Sequence, residues 1–378
     1  MIYYIANARI PTEKAHGIHI MKMCEAFMHE GEEVTLFVPR RRNEITEDPF
    51  SYYGIKKKFP IEYVPVHDTV GSPLAYWLSQ ISFSFSLLFF EKFKKEKEII
   101  IFTRDMLSGF LLSLRGLPVF FDMHGFPEQF VWFWKMAMKR MRGIVLTNKQ
   151  KFERAQSLLG ISEEKLFVFP NGYDPELFKI EESKKELRKK FGFPSDVKIA
   201  LYTGHLYSWK GASILADAGK YIPGIEILFV GGTKEKIKIF KEKYKESNFY
   251  FLGHKPYTEI PKYLKMADVL ILPNSGKSSG NRVSHSIYDT SPIKMFEYMA
   301  SGTPIIATDL PSIREILNKQ NTVVIPPDDP KMLADAIKKA LDNPEFNISR
   351  TQNALRDVEG YTWQKRAHSI LNFIHSTL

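Results

Sequence analysis

The feature that most constrains the fold is a run of short apolar segments alternating with helical periodicity, which occurs twice along the chain. In the first run, strands are predicted at residues 2–6, 34–38, 99–102, 119–122, 143–146 and 166–169. In the second they are predicted at 200–203, 225–230, 250–252, 269–272, 304–307 and 322–325. Such runs suit strands buried on both faces, and strands that alternate with helices build parallel sheets with helices on either side. The two runs are divided at FPNGYDPELF, residues 169–178, where Pro170, Asn171-Gly172 and Asp174-Pro175 concentrate turn chemistry. The expected class is therefore α/β, with two Rossmann-like doubly wound domains facing across a cleft. They span residues 1–169 and 170–360, and an apolar-periodic helix in 361–378 is expected to pack back on the first. Ligands of such sheets lie at the carboxyl ends of the strands.

Bulk composition narrows the function classes. The chain has 378 residues, 44% hydrophobic and 25% charged, which suits two globular domains and excludes disorder. Its one cysteine, Cys24 in the apolar run MKMCEAFM, rules out an internal disulfide and points to a core position in a reducing compartment. The opening MIYYIANARIP reads as a strand and not as a secretory signal, so a cytoplasmic location is expected. Residues 74–90, LAYWLSQISFSFSLLFF, are short for a membrane span and interrupted by serines and Gln80, and are read as a buried or half-buried helix. The net charge of +10 is spread over both halves. It implies a general attraction to anions and no dedicated nucleic-acid surface.

The most informative segment is 289–307, DTSPIKMFEYMASGTPIIA. Ser291 is expected as an N-cap and Pro292 at the first helical position, with a helix over 293–300 ended by Gly302. Such a start aims free backbone N–H groups and a positive dipole end at whatever lies in front, a ready phosphate site. Glu297 falls about one and a half turns in, where its carboxylate could accept two vicinal hydroxyls such as those of a ribose. Asp289 precedes the cap, where a carboxylate could meet sugar hydroxyls. On pattern alone, an ordinary helix start with a solvated glutamate fits equally well.

This segment resembles the donor-binding signature of the family 4 glycosyltransferases, retaining enzymes of GT-B architecture also grouped as glycosyl transferases group 1. That signature sets two acids separated by seven other residues among Ser-Pro-aliphatic-Lys, Glu-aromatic/aliphatic-Met-Ala and Gly-x-Pro. Here the acids are Asp289, where Glu is commoner, and Glu297. The resemblance implies that Glu297 binds ribose and that Asp289, Thr290, Ser291, Pro292 and Ile293 face phosphate or sugar. The segment YTGHLYSWKG, residues 202–211, resembles the family loop in which Gly204 lets the backbone approach and Lys210 reaches the donor diphosphate. His205 stands where the family usually has Arg. FLGHKPYTEIPKYLKMADVLILPN, residues 251–274, resembles the wall of the nucleobase pocket, with His254 and Lys255 flanking the base.

The first strand–loop–helix unit lacks GxGxxG, so dinucleotide binding is not indicated. The resemblance implies that Gly17 lets the backbone approach donor phosphate and acceptor; a plain turn glycine is the other reading. His124 in FDMHG sits at the tip of a predicted strand, and the resemblance implies contact with the donor sugar, with Asp122 capping or orienting nearby. The stretch 128–143, EQFVWFWKMAMKRMRG, mixes aromatics with Lys135, Lys139 and Arg142, and no acid occurs from Gln129 through Phe152. It reads either as a helix buried on the sheet with a basic edge, or as an interfacial helix on an anionic bilayer that presents a lipid acceptor. The lysines at 56, 57, 58, 92, 94, 95 and 97 could extend that surface.

The resemblance implies a hexosyltransferase that takes a UDP- or GDP-sugar to a lipid-linked or saccharide acceptor in cell-envelope polysaccharide or glycolipid synthesis, with retention. It would be peripheral on the inner face of the membrane. His124, Lys210, Asp289 and Glu297 would act at the reacting centre. No cofactor and no essential metal are expected, because no DxD-like acidic pair is placed as a metal site. The alternatives are a nucleotide-sugar 2-epimerase on the same architecture, which would need an acid/base carboxylate pair, and a non-catalytic sugar-binding protein. The Gly/Ser-rich loop 275–287 is expected to close over the donor.

Overall fold

The computed structural model describes residues 1–68, 73–90, 93, 98–127, 129–277 and 285–378, with the backbone alone for 73–76 and 285–286. The chain divides into two compact units, one of Met1–Pro170 with Trp363–Leu378, the other of Asn171–Thr362.

In the first unit the order is β1 (Ile2–Ile5), α1 (Ala15–His29), β2 (Val34–Pro39), α2 (Pro49–Tyr53), β3 (Ile61–Val64), α3 (Pro73–Leu88), β4 (Ile100–Thr103), α4 (Met106–Leu114), β5 (Val119–Met123), α5 (Val131–Arg140), β6 (Gly143–Leu146), α6 (Lys149–Leu159) and β7 (Leu166–Val168). The second runs α7 (Lys184–Lys190), β8 (Ile199–Thr203), α8 (Ala212–Gly219), β9 (Glu226–Val230), α9 (Lys234–Lys243), β10 (Phe249–Gly253), α10 (Ile260–Met266), β11 (Val269–Leu272), α11 (Ile293–Ala300), β12 (Ile305–Thr308), α12 (Pro311–Arg314), β13 (Val323–Ile325), α13 (Pro330–Asp342) and α14 (Glu345–Val358). The terminal helix α15 (Trp363–Thr377) belongs to the first unit.

Both sheets are parallel throughout. Their orders are β3-β2-β1-β4-β5-β6-β7 and β10-β9-β8-β11-β12-β13. The central strands IYYI and IALYT are buried at every position, which is why they read as unbroken apolar runs. In each sheet the winding reverses direction at a central pair, β1/β4 and β8/β11, and the crevice at the carboxyl ends of such a pair is where doubly wound sheets hold ligands.

Two readings need correction. Strand β3 was not predicted: Ile61–Val64 lies between Pro60 and Pro65, follows a lysine run and is half-buried at the sheet edge, so no apolar run marks it. The α11 helix starts one residue late, with Pro292 as N-cap and Ile293 first, because Ser291 is held elsewhere. Helix α3 is half-buried, as expected: Phe83 and Leu87 enter the core, while Trp77, Leu78, Ile81 and Phe85, with Phe89 just past its end, stand in solvent. Lysines 92, 94, 95 and 97, Glu128 and loop residues 278–284 lie outside the described residues. Among those described, no helix is long and apolar enough to cross a membrane.

Candidate functional site

In the second unit the polar groups gather at the carboxyl ends of β8 and β11. The chain leaves β8 through Gly204, whose φ of +124° a side chain rarely tolerates, and Gly231 after β9 packs so tightly that a Cβ there would lie 2.6 Å from the Gly204 carbonyl oxygen. A short 3-10 turn, Ser208–Lys210, then brings a lysine back over the strand end. Gly211 closes that turn with φ +73°, pressed against Pro273 at the end of β11; a Cβ would meet the Pro273 oxygen at 1.7 Å. Gly211 and Gly231 are there because backbone must approach backbone.

Two ammonium groups converge on Gly204. A Cβ at that position would stand 3.9 Å from Lys210 Nζ and 3.9 Å from Lys294 Nζ. Lys294, on the first turn of α11, donates to the Thr203 carbonyl at 3.1 Å and lies 4.0 Å from the centre of the Tyr202 ring. Lys210 lies over the rings of Trp209 and Tyr207 at 5.2 and 5.9 Å. Burial pushes the Lys210 ammonium down to about 8, and burial followed by the neighbouring Lys210 charge pushes Lys294 down as well. The pair therefore favours an incoming anion over its own two charges.

Glu297 follows Lys294 by three residues, hence on the same face of α11. It is buried, and desolvation raises its carboxyl to about 7 against the opposing hydrogen bond of Tyr257 and the charge of Lys294. Asn274, past the end of β11, is buried with its side-chain oxygen lacking a hydrogen-bond partner. Two cations, a perturbed carboxylate and an orphaned acceptor at one switch point form a site for an anion with hydroxyls attached.

The other expected residues fall around this centre. Asp289 and Thr290 are buried just before α11, and Thr290 Oγ1 lies 3.1 Å from Ser312 Oγ. Ser291 does not cap the helix. Its hydroxyl accepts the Asn171 N–H at 3.2 Å and its carbonyl accepts Asn171 Nδ2 at 2.5 Å, so it ties the turn cluster to the helix. His205 stacks on Tyr207 with ring centres 5.1 Å apart, and its carbonyl accepts the Tyr202 hydroxyl. His254 is exposed and Lys255 half-buried beyond β10, with Lys255 Nζ 5.8 Å from the Tyr263 ring centre.

The first unit holds a second polar cluster at the end of β5. Asp122 is fully buried. Its Oδ1 accepts Arg366 Nη2 at 2.8 Å, while its Oδ2 lies 2.9 Å from His124 Nε2 and 3.4 Å from His19 Nε2. Arg366, on α15, also donates to the Pro170 carbonyl at 3.0 Å and to that of Phe169. Arg104 Nη1 stands 3.2 Å from His19 Nδ1, so that nitrogen accepts and His19 Nε2 carries the proton facing Asp122. Burial and the Arg104 charge push His124 down to about 3 despite Asp122, which keeps its imidazole neutral. Its Nε2–H then donates to the carboxylate and Nδ1 is left as the acceptor.

The ligand atoms of His19, Asp122 and His124 lie within 4.8 Å of one another, a spacing a metal ion could use. The donor set does not fit one. Both Nε2 atoms carry protons toward Asp122, and Arg366 and Arg104 already supply the positive charge. Gly17, in the first turn of α1, faces the Tyr53 hydroxyl, which a Cβ would meet at 2.1 Å, so the packing of α1 on α2 itself requires a glycine there.

Sequence reasoning missed Lys294, Tyr257, His19, Arg104 and Arg366. Lys294 had a signal, a cation three residues before Glu297 on one helical face. Arg366 had none, since 244 residues separate it from Asp122.

The sequence model described as Glycosyl transferases group 1 matches residues 183–357, and that described as Glycosyltransferase Family 4 matches residues 16–177. The chain is 28% identical over 345 residues to the putative teichuronic acid biosynthesis glycosyltransferase TuaC of Bacillus subtilis, covering 85% of this chain and 80% of that protein. It is 24% identical over 306 residues to the UDP-Gal:alpha-D-GlcNAc-diphosphoundecaprenol alpha-1,3-galactosyltransferase of Escherichia coli, covering 73% and 75%. Against the uncharacterized glycosyltransferase MJ1607 of Methanocaldococcus jannaschii it is 26% identical over 240 residues, 61% of this chain, and spans 58% of that protein's length. Sucrose-phosphate synthase from Thermosynechococcus elongatus has the same fold, with a TM-score of 0.79 at 18% identity over 99% of this chain and 98% of that one.

Proposed function

The chain belongs to the family 4 type of glycosyltransferases, and from that premise we propose that it transfers a hexose from a UDP- or GDP-sugar to a lipid-linked or saccharide acceptor, with retention at the anomeric carbon. The observation that carries the donor assignment is the convergence of Lys210 and Lys294 on Gly204, on the same side of α11 as Glu297. A diphosphate placed between the ammonium groups meets Lys210 and Lys294, and Glu297 accepts the ribose hydroxyls. Two relatives bear on the acceptor. The E. coli protein's name specifies UDP-galactose and a diphosphoundecaprenol acceptor, and TuaC is named for teichuronic acid synthesis. The reading places the chain in the cytoplasm, peripheral on the inner face of the cell membrane, in cell-envelope glycan or glycolipid synthesis.

In this mechanism the acceptor oxygen bonds to the anomeric carbon as its bond to the diphosphate breaks, and both events occur on one face of the sugar. The acceptor proton passes to the departing phosphate oxygen and the nucleoside diphosphate leaves. Negative charge grows on the phosphates, where Lys210 and Lys294 stabilise it. His124 Nδ1 and Asp289 are assigned to the sugar hydroxyls. Charge on the leaving group is met by lysines, so turnover is expected to persist in EDTA; loss restored by a divalent cation would refute this step.

The titrations set a pH window for donor binding. Glu297 accepts hydroxyls best when ionised, a form gained as pH rises through about 7. Lys210 must be protonated, a form lost as pH rises through about 8. Nucleotide affinity is therefore expected to peak between these values and to fall on both sides, roughly tenfold per pH unit at the limits. Titration calorimetry in buffers of different ionisation enthalpy should also show proton uptake on binding, as phosphate restores the depressed lysines. A flat pH profile with no buffer dependence would contradict the lysine pair.

The assignment as a whole is tested by thermal-shift screening with UDP, GDP, ADP, CMP and their sugars, since a bound donor raises the midpoint by mass action. A sugar donor should shift the midpoint of the wild type, and Lys210→Ala and Glu297→Ala should each abolish that shift. Retention of the shift in both variants rejects the site, and an inverted anomer in the product rejects the retaining mechanism.

A further inference from the structure

Helix α3 puts Phe83 and Leu87 into the core and yet leaves a second set of large apolar side chains in solvent. Two of its serines face inward: Ser84 is fully buried, 2.9 Å from Ser108 Oγ on α4 and 3.2 Å from Asp105 at the start of that helix, and buried Ser79 accepts Arg41 Nη2 at 3.1 Å. A row of large apolar residues faces outward. Trp77, Ile81 and Phe85 follow at four-residue spacing, one helical row, with Leu78 beside them and Phe89 in the turn just past the helix end. Trp77 is 53% exposed and Phe89 73%. A contiguous row of this kind marks a surface that something covers.

A second apolar strip lies on α5. Helices α3 and α5 both pack on α4, and the rings of Phe110 on α4 and Phe133 on α5 meet edge to face at 5.3 Å. The outer side of α5 bears Trp132, 69% exposed, and Met136. Lys135, Lys139, Arg140 and Arg142 are exposed around these two, in a stretch without an acid from Gln129 through Phe152. Aromatic and aliphatic side chains standing in water among cations match the interface of an anionic bilayer, where rings sit at headgroup depth and Lys or Arg meet lipid phosphates.

We infer that the outward row of α3, together with Trp132, Met136 and the cations of α5, is the face on which the first unit rests on an anionic lipid bilayer. This deepens the peripheral-membrane part of the reading above by naming its surface. The occupant is a bilayer and not a second copy of the chain, because a second copy would bring the same cluster of cations against this one.

The test is co-flotation of the full chain with vesicles of phosphatidylcholine alone and of phosphatidylcholine mixed with phosphatidylglycerol. The wild type is expected to float with the anionic vesicles and to release on adding salt. Phe85→Ser/Phe89→Ser should lower vesicle partitioning roughly tenfold or more. Lys139→Gln/Arg140→Gln should remove most of the salt dependence. The nucleotide-induced thermal shift, measured alongside, should be unchanged in both. Failure of that shift in the wild type would then count against the donor assignment alone. If the double variant loses it, Phe89→Ser serves instead, since that highly exposed side chain is not part of the packed core. Wild type that stays with the soluble fraction, or variants that float as well as it does, would overturn the inference. So would light scattering that shows a dimer which the α3 variant converts to monomer without any vesicle binding.

Discussion

Replacing Lys294 by methionine is expected to weaken nucleotide binding by roughly 10- to 100-fold, the about 1.5–3 kcal/mol of a hydrogen bond to a charged partner. Methionine keeps the length and the packing of the side chain on the Tyr202 ring and removes only the charge and its bond to the Thr203 carbonyl. The loss should appear in affinity for free UDP or GDP as much as for the sugar donor, because the contact is with phosphate. The alkaline limit set by Lys210, whose basicity is lowered by burial, should stay near 8. Lys210→Met should lose a comparable amount. The double variant should fall short of the sum, since both lysines act on one anion. An unchanged affinity in Lys294→Met would mean that this lysine serves packing alone.

Arg366→Met is expected to be among the most destabilising substitutions in the chain. The guanidinium is fully buried and is the cation that neutralises Asp122 on Oδ1. Its removal leaves a carboxylate buried without that partner, at a cost of about 3–5 kcal/mol. For a unit of this size that is a fall in Tm of roughly 10 °C. Arg366→Met/Asp122→Asn should recover part of the loss, because no unpaired charge is left inside. A double variant no more stable than the single would show that the arginine matters through the Phe169 and Pro170 carbonyls instead. The pair also sets His124. Asp122 accepts its Nε2–H and so holds Nδ1 as an acceptor. Asp122→Asn alone should lower kcat by about 100-fold, with nucleotide affinity, which depends on the other unit, unchanged.

The parts of the fold legible in the sequence are those where a single physical cause dominates. The strands IYYI, GIVL and VLIL are buried on both faces, so their composition declares them. Ile61–Val64 is an edge strand with mixed exposure, and its pairing with β2 comes from tertiary context. The donor site was half legible. Gly204, Lys210 and Glu297 stand out in their motifs; Lys294 lies in one too, three residues before Glu297, but its convergence with Lys210 on Gly204 depends on how the turn at Ser208–Lys210 folds, a fact of three dimensions. Ser291 satisfied every local rule for an N-cap, yet Asn171 claims both its hydroxyl and its carbonyl. The outward apolar row of α3 was illegible for a related reason. Serines alternating with aromatics show a helix but not which side meets water.

The account stands or falls with the position of the nucleotide. The most direct measurement is a crystal structure with UDP or GDP bound, whichever gives the larger thermal shift. It should show the phosphates within hydrogen-bonding distance of Lys210 Nζ and Lys294 Nζ, with the ribose hydroxyls on Glu297. A nucleotide seated at any other place, with both lysines holding only the protein contacts they make without it, would contradict the assignment.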